Sequence, residues 1–277
     1  MRAIVSLLSL ARLHSCASGI VLVVVGFHLA GGSSWGNLAL GALAIALLIA
    51  GANGYNDVMD READAISSPS RPIPSGAVPW RTALVVSVSW LVSGVVCGLA
   101  AGWRSGLFAA VLAVVSVVYS SHVKRIVLVG NVWVAVTSAC AVLFGAQLVG
   151  VIPWLAVIPF GAVVLYMAAF EIVKTIRDQD ADRMADVRTA VHAWGIRGTA
   201  RLGTFILFLS LLWLVVNGWL FAAAPAYFVL WAGGTAVVAV ALNDLAQVKD
   251  WRSPLMRRAL RSLRLAQIPL LGAMFLL

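Results

Sequence analysis

Charge is scarce in this chain, and negative charge most of all. Charged residues make up 11% of the 277, where a soluble domain carries about a quarter, and only 11 residues are Asp or Glu. So few charges cannot solvate the surface of a water-soluble protein of this length, which excludes that class. Cysteine is also sparse: Cys16, Cys97 and Cys140 each fall within an apolar run, where a free thiol packs as a small hydrophobe. Their odd number and wide spacing exclude a disulfide framework. The four histidines, His14, His28, His122 and His192, have no Cys or acidic partner at ligand spacing, so they do not form a metal site. The net charge of +9 raises the question of nucleic acid, but the cations follow topology and lack interleaved exposed aromatics. No nucleic-acid partner is expected.

What the sequence has in abundance is apolar residues, 62% of the total. A helix crossing a bilayer core of roughly 30 Å needs about 20 of them, because every backbone group must be satisfied inside the segment. Nine such runs are legible, at 15–31, 36–52, 82–101, 105–121, 130–150, 152–173, 203–221, 225–243 and 264–277. The expected fold class is all-α, a polytopic membrane bundle of about nine transmembrane helices with the lipid bilayer as its partner. Tight connections such as Gly150 to Pro153 leave no room for a soluble domain, so one domain is expected over 1–277. Met1 to Ser15 reads as a lead-in helix along the interface; Arg12 and His14 stand where a signal-peptide cleavage region is small and uncharged.

The cations alternate in a way that fixes orientation. Arg2 and Arg12, then Arg61, Arg71 and Arg81, then Lys124 and Arg125, the run from Lys174 to Arg201 and the run from Lys249 to Arg264 all fall on one side of the nine spans. Arg104 stands alone on the other. Positive loops face the cytoplasm, and a multi-pass protein in the cell membrane of a prokaryote is expected. Trp35, Trp80, Trp103, Trp154 and Trp219 lie near span ends, where tryptophan anchors at the interface.

Nine of the 11 acids fall in two short stretches at the ends of the second and sixth spans: Asp57, Asp60, Glu62 and Asp64, then Glu171, Asp178, Asp180, Asp182 and Asp186. In the first, Asn56, Asp60 and Asp64 are four apart, so a continuing helix stacks their oxygens on one face. Asp178 and Asp182 repeat the spacing. Two such ladders facing one another collect hard oxygen ligands that suit Mg2+, a cation usually bound by a few carboxylates plus substrate phosphate. Arg71, Lys124, Arg125 and Lys174 supply a cationic rim for a diphosphate. Ordinary charged loops would scatter their acids over many connections. Asp244 and Asp250, beside Lys249 and Arg252, read as a solvated interfacial face.

At these residues the chain resembles the UbiA family of intramembrane prenyltransferases. Asn56-Asp57-x-x-Asp60-x-x-x-Asp64 matches that family's NDxxDxxxD, and Asp178 to Asp182 its DxxxD. Arg71-Pro72-Ile73-Pro74-Ser75-Gly76 is similar to the run that follows the first motif, and Tyr119 with Lys124 to the tyrosine-lysine element after the fourth helix. The tyrosine and lysine are separated by four residues where the strict element has three, Thr175 stands where one branch has an aspartate, and Ser15 stands near a common asparagine. Glu171 to Lys174 and Arg188-Thr189 look most like the branch acting on glycerophosphate ethers.

The resemblance implies a central cavity and an isoprenyl diphosphate bound head-first at Mg2+ with its tail among apolar helices. It implies catalytic roles for Asp60, Asp64, Asp178, Asp182 and Tyr119, and diphosphate contacts from Asn53, Asn56, Arg71, Lys124, Arg125 and Lys174. The expected metal ligands are Asn56, Asp57, Asp60, Asp64, Asp178 and Asp182. Tyr55, Tyr119, Trp133, Phe144, Tyr166 and Phe170 are candidate linings for a cationic carbon. The expected reaction is transfer of the prenyl group to a lipophilic acceptor, aromatic or glycerolipid-like, with release of diphosphate. Cyclisation without a second substrate is the alternative, and a cation-coupled transporter a remote one, since no acid sits at mid-span.

Overall fold

The computed structural model describes residues 2–184 and 187–277, with no side-chain description at 2–5, 67, 125, 181 and 184. Asp186 therefore lies outside the described residues. The order is α1 (Arg2–Ala11), α2 (Leu13–Leu29), α3 (Trp35–Met59), α4 (Arg61–Ser67), α5 (Trp80–Ala101), α6 (Trp103–Ser121), a 3-10 turn (Val123–Arg125), α7 (Val129–Gln147), α8 (Trp154–Met184), α9 (Ala190–Leu220), α10 (Pro225–Gln247) and α11 (Pro254–Met274). Each of the nine expected spans coincides with one of α2, α3 and α5 to α11.

Seven of these, α3 and α5 to α10, are long and apolar enough to cross a bilayer. α2 is apolar but has 17 residues, and α11 has four arginines in its 21. Large apolar side chains are exposed at helical spacing, Val92, Val96 and Leu99 on α5 and Leu107, Val111, Val114 and Val118 on α6. Rows of that kind are the mark of a surface that faces lipid. Trp35, Trp80, Trp103 and Trp154 open their helices and Trp219 sits in the last turn of α9; all five are exposed.

The helices fall into two packing units, residues 1–124 with 140–152, and residues 125–139 with 153–277. In the first, α3 packs against α2, α5 and α6 around Ile45, Leu48, Leu91 and Leu112. α2 crosses the end of α7 with backbones in near contact: a Cβ at Gly145 would strike the Val23 backbone, and one at Gly26 the Val142 carbonyl. Small residues at such a crossing are what permit close helix packing where lipid supplies no hydrophobic drive. In the second unit α8 packs on α9 and α10 on α11, with Ile158, Ile172, Leu207, Leu214, Tyr227 and Leu263 fully buried.

Local sequence explains the ends. Ser34 accepts a hydrogen bond from the Asn37 N–H at the start of α3, and Ser253 caps α11 ahead of Pro254, whose missing N–H costs nothing at the first helical position. α1 and α2 are separated by Arg12 in a left-handed conformation, φ 52. Helices also outrun their apolar stretches: α8 continues through the second acidic motif to Met184, and α9 begins at Ala190 with a break at Gly195, φ 67.

Candidate active site

The first acidic motif straddles the end of α3. The helix stops at Met59, yet the ladder carries on: the Asp60 N–H donates to the Asn56 carbonyl at 2.9 Å and the Asp64 N–H to the Asp60 carbonyl at 2.8 Å. Asn56, Asp60 and Asp64 are therefore stacked as their spacing predicts, and the Asn56 amide donates to the Asp60 carboxylate at 2.5 Å. Every carboxylate of the motif core has a cation. Arg12 donates to Asp57 at 2.5 Å, Arg71 lies 2.5 Å from Asp64 and 3.5 Å from Asp57, and Lys124 pairs with Asp60.

Arg71 is positioned by its own turn. The Ser75 N–H donates to the Arg71 carbonyl, the Val78 N–H to the Pro72 carbonyl, and Gly76 takes φ 74 to close the loop. Ile73 and Val78 then pack against Leu10 of α1, Val58 of α3 and Ala83 of α5, which presses the loop onto the helix end. Asp57 and Asp64 are both buried, and burial pushes the Asp64 carboxyl above the usual carboxylate range against the pull of Arg71.

The second motif lies on the unbroken C-terminal part of α8, with Asp178 and Asp182 one turn apart. Arg177 grips Asp178 in a two-pronged contact at 2.6 and 2.9 Å, Lys174 pairs with Glu171, and Arg252 lies 3.6 Å from Asp180. Thr175 is buried and its hydroxyl donates to the Ile172 carbonyl.

Other expected site residues have different engagements. The Asn53 amide donates to the Ala11 carbonyl at 3.2 Å and ties α3 to the end of α1. Tyr119 is on the last turn of α6, half-buried, ahead of the 3-10 turn that carries Lys124. The Arg125 side chain lies outside the described residues. Of the candidate linings, Phe144 is fully buried against Phe108, centroids 5.8 Å apart, and Tyr166 donates its hydroxyl to the Leu263 carbonyl at 2.5 Å. Both are core packing. Asp244 corrects the sequence reading: it is fully buried and gripped by both prongs of Arg258, because α10 and α11 pack their polar ends together. Asp250 is exposed and accepts from the Arg252 N–H.

Sequence reasoning passed over two cations that touch the motifs. The sequence marks Arg12 as a topology charge and as a residue unsuited to a signal-peptide cleavage region, not as a partner of Asp57, although both lie on the same expected side of the membrane. Arg177 directly precedes Asp178.

The donor set fits magnesium in kind. It offers carboxylate and amide oxygens and no sulfur or imidazole, and among the described residues no three His, Cys, Asp or Glu side chains form a ready-made cage. Magnesium keeps several waters and takes one or two carboxylates plus substrate phosphate, so it needs no cage. The interleaved Arg and Lys suit the phosphate oxygens.

A sequence profile described as the UbiA prenyltransferase family matches residues 19–264. The digeranylgeranylglyceryl phosphate synthase of Natronomonas pharaonis is 36% identical over 190 residues, 68% of this chain and 69% of the relative. The synthase of the same description from Methanopyrus kandleri is 33% identical over 250 residues, 88% and 89% of the two chains. A solved structure of a UbiA homolog from Archaeoglobus fulgidus bound to GPP and Mg2+ shares the fold, with a TM-score of 0.77 at 17% identity over 98% of each chain. On the profile match and on relatives aligned over two thirds or more of both chains, this multi-pass membrane protein belongs to the UbiA prenyltransferase family.

Proposed function

We propose that the chain ionises an isoprenyl diphosphate and transfers the prenyl group to a lipid acceptor of the glyceryl phosphate class, at the cytoplasmic face. The observation that carries the reading is the charge pattern of the first unit. Asp57, Asp60 and Asp64 alternate with Arg12, Arg71 and Lys124, so carboxylates for magnesium and cations for phosphate are interleaved. Asp178 and Asp182 with Lys174 and Arg177 offer the same mixture on α8. The Archaeoglobus fulgidus homolog bound to GPP and Mg2+ supports the donor class, and the Natronomonas and Methanopyrus synthases support the acceptor class.

Magnesium, when bound, supplies Lewis-acid stabilisation of charge on the leaving diphosphate. The chain's own residues do the rest. Arg71 and Lys124 hold phosphate oxygens by charge-assisted hydrogen bonds, and their positive charge meets the charge that develops as the allylic C–O bond breaks. The bond pair leaves with the diphosphate. A hydroxyl oxygen of the acceptor then bonds to the electron-deficient carbon and gives its proton to the departing diphosphate. Apolar helices keep water from intercepting that carbon. In the first unit Asn56, Asp57, Asp60 and Asp64 would hold magnesium, and in the second Asp178 and Asp182 would do so; Tyr119 precedes the lysine and serves the allylic carbon.

Purified protein in nanodiscs, given labelled prenyl diphosphates of several lengths with Mg2+ and with or without glyceryl phosphate lipids, tests the reading. Diphosphate release and an acceptor-dependent ether product are expected. Asp60→Ala and Asp182→Ala should each lower the rate by about 100-fold or more, the scale of losing a transition-state charge contact. No release with any donor length overturns the proposal, and acceptor-independent terpene products convert it to cyclisation.

A further inference from the structure

The first half of α11 contains Arg257, Arg258, Arg261 and Arg264, four of the six cations between Lys249 and Arg264, a stretch with one acid, Asp250. Between the spans expected at 225–243 and 264–277, the sequence predicts mostly a charged connection here. It is instead a helix with a buried stripe of Met256, Ala259, Leu260, Leu263 and Ala266, and the arginines occupy its other face. They are not equivalent. Arg258 is committed to buried Asp244, and the Arg264 guanidinium lies 5.8 Å above the Phe170 ring. Arg257 and Arg261 are exposed, and neither has an acidic partner among the described residues.

Their placement is specific. α11 runs antiparallel to α8: Arg252 pairs with Asp180, the Leu263 carbonyl accepts from Tyr166, and Arg264 covers Phe170. The strip thus flanks the part of α8 that bears Lys174 and Asp178. By the charge pattern these arginines lie at the cytoplasmic edge of the membrane, the level at which lipid head groups present their phosphates. Positions four apart stack on one helix face about 6 Å apart, so the planar forks of Arg257 and Arg261 can close on a single phosphate.

We infer that Arg257 and Arg261 form the binding site for the phosphate of the lipid acceptor, holding it beside the helix that bears the second aspartate motif. The inference rests on the acceptor class proposed above. A phosphate monoester has up to two negative charges and three terminal oxygens, which matches two guanidinium forks; the diester of an ordinary phospholipid has one charge and two such oxygens.

The test uses the full chain in phosphatidylcholine nanodiscs and two readouts. In turnover, the Arg257→Gln/Arg261→Gln double variant should raise KM for a glyceryl phosphate lipid about tenfold or more, as expected from losing charge-assisted hydrogen bonds, while KM for the prenyl diphosphate holds. The Arg257→Lys/Arg261→Lys variant should recover part of the difference. In binding, the glyceryl phosphate lipid should raise the unfolding temperature of the wild-type chain and not of the double glutamine variant, and its dephosphorylated glycerol ether should raise neither. This second readout needs no turnover, so it still reports if the proposed transfer fails. An unchanged acceptor KM, or equal stabilisation of both chains, overturns the inference. So does a difference that appears only when phosphatidylglycerol is added, which would assign the strip to bulk anionic lipid.

Discussion

Removing Arg71 should destabilise the protein in chelator and make magnesium a stronger stabiliser than it is for the wild type. Arg71 lies 2.5 Å from Asp64 and 3.5 Å from Asp57, two carboxylates with less than a tenth of their side-chain surface exposed. Leaving a buried acceptor without its donor costs about 1–3 kcal/mol. Arg71 is itself 40% exposed, so water already screens the pair and the lower end applies, about 1 kcal/mol. Arg12 still holds Asp57, which keeps the loss at Asp64. For a chain of this size that is roughly 2–4 °C in the unfolding midpoint. The assay is thermal unfolding in detergent of Arg71→Ala and wild type, each with EDTA and with excess Mg2+. The variant should melt lower in EDTA and gain more from Mg2+, because a ligand that binds only the folded state adds stability that grows with the logarithm of its concentration over its Kd, and the freed carboxylates bind it more tightly. Equal midpoints in EDTA, or equal gains from Mg2+, would refute the account of Arg71 as the resident counter-ion.

Two further outcomes follow from packing. Gly145→Ala places a methyl group against the Val23 backbone, which cannot yield as a side chain would, so about 1–3 kcal/mol of stability should be lost; a wild-type melting point would deny the close crossing. In the second unit, Arg258→Ala should destabilise more than Asp244→Asn, since the first strands a buried carboxylate and the second leaves an uncharged acceptor facing an exposed arginine. Melting points in the reverse order would show that the pair is not held as described.

Helix positions were legible in the sequence because membrane spans advertise themselves as long uncharged runs. Helix lengths were not. α8 runs to Met184 and α11 starts at Pro254, since polar helix-compatible residues continue a helix after its apolar stretch has ended. The 56–60–64 stack was readable from its spacing, and the turn at Arg71 from its proline and glycine. The pairings were hidden: Arg12 reaches Asp57 across 45 residues through a left-handed non-glycine position that no local signal marks. Asp244 looked solvated because Lys249 and Arg252 are near it in sequence, while its partner Arg258 lies one connection further on, on α11.

The first unit presents three carboxylates, Asp57, Asp60 and Asp64, and three cations, Arg12, Arg71 and Lys124, in mutual contact. Such a patch is electrically balanced before anything binds, so the chain reaches its fold without waiting for a metal supply. Balance also sets a condition on what may enter. A bare divalent ion must displace resident guanidinium groups, and a bare diphosphate must displace resident carboxylates. A magnesium–diphosphate pair, whose charges largely cancel, disturbs the patch least, which makes arrival as a preformed salt the easiest route to loading.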